Sequence, residues 1–187
     1  APRLMHLLRS TLCVDSPVLP MYDTVLRESL SVTLNVDLDD ARWSQASLPV
    51  RWGGLGVRSV VLLAPSAYLA SAASIKELTS TLLPVRLQVV KDSGIDAALA
   101  NWTCQTSNPL EVSTQPVIPS MPSSIAQRVW DHHCCKAKFE QLLIMASDSV
   151  DRARLIASCS QGSGDWLHAL PLSSVGHKMD NATVRSS

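Results

Sequence analysis

The run Trp43–Ala73, WSQASLPVRWGGLGVRSVVLLAPSAYLASAA, changes character at its middle, and the rest of the chain reads outward from that change. Leu48-Pro49-Val50-Arg51-Trp52-Gly53-Gly54-Leu55-Gly56-Val57 has no helical period. Gly53, Gly54 and Gly56 fall within four residues, so the backbone must turn tightly or pass close to something bulky. Pro49 biases Ser47-Leu48 toward extended geometry and removes a donor. Leu55 and Val57, two apart, suit a short extended piece or a tight loop. From Ser59 the residues become small and aliphatic: Val60, Val61, Leu62, Leu63, Ala64, then Ala67, Leu69, Ala70, Ala72 and Ala73. Alanine favours helix, and small side chains let helices approach closely. The stretch predicts a glycine-turned corner feeding a buried helix, and with it an all-α fold.

Helical signals continue on both sides. Leu4, Leu7, Leu8 and Leu12 lie at helical spacing, predicting a helix from Pro2 to Thr11. Asp15 or Ser16 caps the next helix, with Pro17 at its first position, where a missing donor costs nothing. Val18, Tyr22, Val25, Leu26, Ser29, Leu30 and Thr33 trace its core face to about Leu34, with Arg27 and Glu28 toward solvent. The two helices are expected to pair antiparallel. Asp39 and Asp40 precede Ala41-Arg42-Trp43, as a helix start requires.

After the corner, the helix is expected to reach about Leu78, with Ile75 and Leu78 on its apolar side and a kink or a break at Pro65. Thr79–Val90 fits helix or strand. A short helix is expected from Asp96 to Trp102. Ser124 and Gln127 form a capping box for a helix whose inner side is Ile125, Val129, Trp130, Cys134, Ala137, Gln141 and Ile144. Asp148 or Ser149 starts a further helix, with Val150, Ala153, Leu155, Ile156 and Cys159 following. One more turn is expected near Asp180–Arg185.

The domain reading is a helical lobe over 1–102, a Pro-rich strap over 103–122 carrying Pro109, Pro116, Pro119 and Pro122, a helical hairpin over 123–160 and a loop-rich tail over 161–187. An apolar content of 46% fits a globular chain, and one Phe, two Tyr and five Trp leave the core to aliphatic residues. Sixteen basic and sixteen acidic side chains cancel, so any contact with nucleic acid is local rather than driven by overall charge. Five cysteines without regular spacing do not make a disulfide framework, and they read as reduced thiols of an intracellular protein, nuclear or cytoplasmic. No apolar run reaches the length of a membrane span, so no membrane partner is expected. The opening Ala1-Pro2-Arg3-Leu4 reads as the middle of a helix, and the chain as a fragment.

Three groupings suggest chemistry and fall short of it. His132-His133-Cys134-Cys135 lie consecutively on a helix and point around most of a turn, so at most two of them face one ion; no metal site is expected. Ser163, Asp165 and His168 are too close in sequence to converge as a triad, and Gly162-Ser163-Gly164 lacks a nucleophile-elbow context; Trp166 is expected to tuck into the core. Gly53-Gly54-Leu55-Gly56 lacks the Lys-Ser/Thr ending of a phosphate loop.

Gln45-Ala46-Ser47-Leu48-Pro49-Val50, Gly53-Gly54-Leu55-Gly56-Val57-Arg58-Ser59 and Leu63-Ala64-Pro65-Ser66-Ala67-Tyr68-Leu69-Ala70-Ser71 together resemble the segment downstream of the palm in non-LTR (LINE-type) retrotransposon reverse transcriptases. Leu26-Arg27-Glu28 through Leu34-Asn35-Val36 resembles the thumb helix before it. Arg152–Ser158 with Ser163–Ala169 resembles the segment leading toward a Cys/His element and an endonuclease. The similarity is weakest over Lys91–Pro122.

The resemblance implies a non-catalytic thumb and post-thumb region of an RNA-directed DNA polymerase. Its partners would be an RNA or DNA template–primer and the palm domain of the same polyprotein, and Mg²⁺ would belong only to that palm. Asp39-Asp40 lacks the aromatic-x-Asp-Asp context of the palm's catalytic pair. A thumb grips phosphates, which calls for Arg, Lys or backbone donors. Arg51, Arg58 and Arg42 are the expected backbone contacts, Trp52 a stacking plane, and Gly53, Gly54 and Gly56 the structural corner. The alternative is a helical protein–protein interaction scaffold with no nucleic-acid role, to which the zero net charge and the apolar helix after the corner also point.

Overall fold

The computed structural model describes residues 2–82, 84, 93–106 and 123–168. Among these the elements are α1 (Pro2–Ser10), α2 (Val18–Leu34), α3 (Asp40–Ala46), a 3-10 turn (Val50–Trp52), α4 (Val60–Leu82), α5 (Ser93–Thr106), α6 (Ser123–Met145), α7 (Ser149–Ser158) and a second 3-10 turn (Asp165–His168). No strand occurs among the described residues, and the fold is all-α. The chain groups into two compact units, each built from two separate segments: residues 1–19 with 60–138, and residues 20–59 with 139–187.

The first unit is organised on α4. Ala64 and Ala67 join Leu8 of α1, Leu19, Val60 and Leu63 in one buried cluster. One turn further on, Leu69 and Ala70 pack with Ala98 and Trp102 of α5 and with Trp130 and Cys134 of α6. The alanines leave no bulk between the helices, so α1 and α5 both come close to α4. The Trp102 ring meets Trp130 edge-on at 4.9 Å, and its Nε1 donates to the Trp130 carbonyl at 3.1 Å, which satisfies the one polar atom of a buried indole.

Pro65 does not break α4. Its missing N–H would have bonded the Val61 carbonyl, and Gln105 of α5 donates its Nε2 to that carbonyl at 3.0 Å instead. α4 runs on to Leu82, beyond the expected end, and Ile75 is exposed rather than on the apolar side. α5 is also longer than expected and carries the first residues of the expected strap, Thr103–Thr106, as helix. Gln127 Oε1 accepts from Arg9 Nε at 3.1 Å and from Arg9 Nη2 at 2.6 Å; the side chain of Ser124, the other half of the expected capping box, lies outside the described residues. On α6, Trp130 and Cys134 face inward as expected, but Gln141 and Ile144 are exposed and Asp131, Cys135 and Leu142 are buried instead.

In the second unit, Arg27 departs from its expected solvent position. It is half-buried and donates from Nε to the Leu38 carbonyl at 2.7 Å and from Nη1 to Asp40 Oδ1 at 2.7 Å, which ties α2 to the start of α3. Asn35 adopts a left-handed φ of 53° after α2, and Val36 N–H reaches back to the Ser31 carbonyl at 3.2 Å, a Schellman-type stop. Asp39 caps α3 by accepting from Arg42 N–H at 2.8 Å, and Asp148 caps α7 by accepting from Asp151 N–H at 2.7 Å, both as the sequence predicts.

The core face of α2 differs from the expected one. Leu19 and Asp23 are buried and Leu26 and Leu30 half-buried, while Val18, Tyr22 and Val25 are exposed. Leu7 and Leu12, expected inward near α1, are exposed as well. The side chain of Trp166, residues 85–90 and the turn expected near Asp180–Arg185 lie outside the described residues.

Candidate nucleic-acid interface at the glycine corner

The corner is a closed hydrogen-bonded loop that doubles as the cap of α3. A helix ends with carbonyls that lack partners. Here Leu48 N–H donates to the Gln45 carbonyl at 3.0 Å and Leu55 N–H to the Ala46 carbonyl at 3.0 Å, so the far side of the loop satisfies the end of the helix. Gly56 N–H then donates to the Leu48 carbonyl at 2.9 Å, and Gln45 Nε2 to the Gly53 carbonyl at 3.3 Å. Between these anchors, Trp52 N–H and Gly53 N–H donate back to Pro49 and Val50 at 2.8 and 2.9 Å and form the 3-10 turn.

Each corner glycine has its own reason. Gly53 has φ of 72°, and a Cβ there would overlap the Ser158 hydroxyl at the end of α7. Gly54 lies against the backbone of Leu48, where a Cβ would overlap the Leu48 carbonyl. Gly56 has φ of 74° but open space, with Val50 Cγ2 the nearest atom at 3.6 Å. The tail returns to the same place, because Gly164 packs on Val50 so closely that a Cβ would overlap Cγ1.

The four expected contact residues are placed differently from one another. Arg51 lies in the 3-10 turn, exposed, with no hydrogen bond or ion pair among the described residues. Trp52, beside it, is half-buried, its ring 5.5 Å from that of Phe139 at 47°. Arg58 is half-buried, with its Nε enclosed. Arg42, on α3, is exposed but donates to the Asp37 carbonyl at 2.9 Å and lies 3.8 Å from Asp39. Arg51 therefore presents the open cation of the corner, and Trp52 fixes the turn that carries it. Sequence spacing does not reveal the Trp52–Phe139 pairing, since the rings come from distant segments.

Asp39 is committed to the α3 cap and Asp40 to Arg27. Among the described residues no group of three or more His, Cys, Asp or Glu is arranged to hold a metal. In the His132–Cys135 run, His132 is exposed, Cys134 and Cys135 are buried, and His133 sits edge-on to Trp102 at 5.8 Å. Cys134 Sγ lies 3.7 Å from the buried Ser66 hydroxyl. Ser163 donates its hydroxyl to the Ser158 carbonyl at 2.5 Å and so braces the loop after α7. Burial raises the thiol pKa of Cys13 and of Cys159, the latter offset in part by a hydrogen bond from Ser158. No helix among the described residues is long and apolar enough to cross a membrane.

No family model, no curated protein and no solved structure matches the chain.

Proposed function

We propose that this chain is the thumb and post-thumb region of a retrotransposon-type reverse transcriptase, gripping an RNA or DNA template–primer by its backbone. The observation that carries the reading is Arg51: an exposed guanidinium at the apex of a corner closed by hydrogen bonds, inside the phrase that resembles that family. A cation held on a short, braced turn loses little freedom when it meets a phosphate, and a guanidinium can bind one through two parallel hydrogen bonds. The chain binds and positions in this reading, and the chemistry belongs to a palm domain elsewhere in the same polyprotein, in the nucleus or cytoplasm.

The test is anisotropy of a labelled RNA–DNA hybrid over a series of salt concentrations. The expected result is affinity that falls linearly on a log–log plot, with Arg51→Ala reducing the slope by about one and weakening all sequences alike. Failure to bind at low salt overturns the reading. A second reading, a helical interaction scaffold, is favoured by zero net charge and by the apolar side chains exposed along α2. It predicts no hybrid binding at any salt.

A further inference from the structure

Arg51 is exposed, but the residues around it are held by segments far away in the sequence. Val50 lies against Gly164, so closely that a Cβ on that glycine would overlap Cγ1. Gly53 lies against the Ser158 hydroxyl, with no room for a Cβ of its own. Trp52 meets the ring of Phe139, near the end of α6, at 5.5 Å and 47°. The corner's shorter hydrogen bonds fix the two ends of the loop, at Leu48 and at Leu55–Gly56. Its apex has less to hold it. Val50–Trp52 is a single 3-10 turn, closed by the Trp52 and Gly53 N–H groups and helped by a long bond of 3.3 Å from Gln45 to the Gly53 carbonyl. So short a turn gains little from its own hydrogen bonds against the entropy of fixing its backbone. Two of the three outside contacts are permissive, since they exist because a glycine carries no side chain. The ring pair is the attractive one: two half-buried aromatic rings in tilted contact gain more than the area they cover.

We propose that Phe139 is a positioning residue for Arg51: its ring holds Trp52, and through Trp52 the backbone that aims the guanidinium at a phosphate. The proposal rests on the reading of Arg51 as a backbone contact of a template–primer, and it adds the part of the chain that sets the aim. Arg51 and Trp52 share a peptide bond, so a tilt of the Trp52 ring is carried to the Arg51 Cα. A guanidinium lies about 6 Å from its own Cα, and a tilt of roughly 20° in the turn moves it by about 2 Å, out of reach of a hydrogen bond set near ~2.9 Å. A loose turn must be ordered again at each encounter, which costs affinity although no contact to the phosphate has been removed. The cation thus comes from the corner and its aim from the end of α6, two segments that sequence spacing does not connect.

A double-mutant cycle in hybrid binding by the full chain tests this. Arg51→Ala is expected to weaken binding of the labelled RNA–DNA hybrid about tenfold. Phe139→Leu keeps an apolar side chain and loses the ring, and is expected to weaken binding about fivefold. The two losses are not expected to multiply: in a Phe139→Leu background, Arg51→Ala costs no more than about twofold. Phe139→Tyr keeps the ring and is expected to restore the full tenfold effect of Arg51→Ala. Amide hydrogen exchange reads the turn without any nucleic acid. The Trp52 and Gly53 N–H groups are expected to exchange at least about tenfold faster in Phe139→Leu than in the wild type, while the amides of α7 and the helical circular dichroism stay unchanged. No binding by the wild type at low salt overturns the reading of the corner and the proposal with it. Binding with losses that multiply, or equal exchange at Trp52 and Gly53 in Phe139→Leu and wild type, overturns the proposal alone.

Discussion

At Pro65 the helix ladder lacks a donor, and Gln105 supplies one from another helix to Val61. The same Nε2 also reaches Asn101 Oδ1 at 3.0 Å, while Gln105 Oε1 is buried without a hydrogen-bond partner among the described residues. Gln105→Leu removes a useful donor and a costly acceptor together, so its net effect is held to about 1 kcal/mol of destabilisation. In a Pro65→Ala background, the restored N–H bonds Val61 directly, and the cost of Gln105→Leu shrinks toward zero. A double-mutant cycle by urea denaturation checks this coupling. The cysteines offer a second residue-scale outcome. Burial holds the Cys13 and Cys159 thiols protonated above the ordinary pH, so less reactive thiolate is present near pH 8. Cys104 is exposed, and Cys134 and Cys135 are buried. Iodoacetamide followed by mass spectrometry should modify Cys104 first, Cys13 and Cys159 later, and Cys134 and Cys135 only on unfolding.

The elements differ in what their own sequence could reveal. Caps and turns are local chemistry, and Asp39, Asp148 and the glycine corner were legible because a cap or a tight turn is made by residues a few positions apart. The misses share a different origin. Arg9 pairs with Gln127 across 118 residues of sequence, and Gln105 rescues Val61 across 44, so neither that pairing nor the continuation of α4 through Pro65 could be read from neighbours. On α2 both faces are apolar, and periodicity reports a stripe without saying which one is inside. Within the corner, the surroundings rank the glycines. Gly54→Ala drives a Cβ into the backbone of Leu48 and has no cheap relief. Gly53→Ala meets a side chain, Ser158, and adds left-handed strain; Ser158→Ala relieves part of it. Gly56→Ala meets only the strain, about 1 kcal/mol. Thermal melts are expected to order the losses as Gly54 at least equal to Gly53, and both above Gly56, with the first two above ~2 kcal/mol. An equal loss at all three would mean that φ alone, and not packing against Leu48 and Ser158, dictates glycine.

At the scale of the whole molecule, neither unit is a continuous piece of chain. The all-α class was legible from composition and period, but this interleaving was not, because it depends on which apolar faces find each other. The consequence falls on α1. Leu8 is completely buried in the cluster with Val60, Leu63, Ala64 and Ala67, so the N-terminal helix covers one side of α4. Without residues 1–19, that side faces water. Loss of the fully buried Leu8 alone forfeits about 2–3 kcal/mol, and loss of Leu19 a similar amount, a large share of the stability a domain of this size possesses. A chain beginning at Pro20 is therefore expected to lose the cooperative melt of the first unit and to bind a hydrophobic dye. α4 is expected to retain partial helix, since its alanines favour it without any neighbour. Supplying a synthetic peptide of residues 1–19 should restore the transition, and the same peptide with Leu8→Ala should restore it poorly, because only the wild-type side chain fills the site that Ala64 and Ala67 leave open. If the shortened chain melts as the intact one does, α1 is an ornament on α4, and the buried position of Leu8 contributes far less than its burial implies.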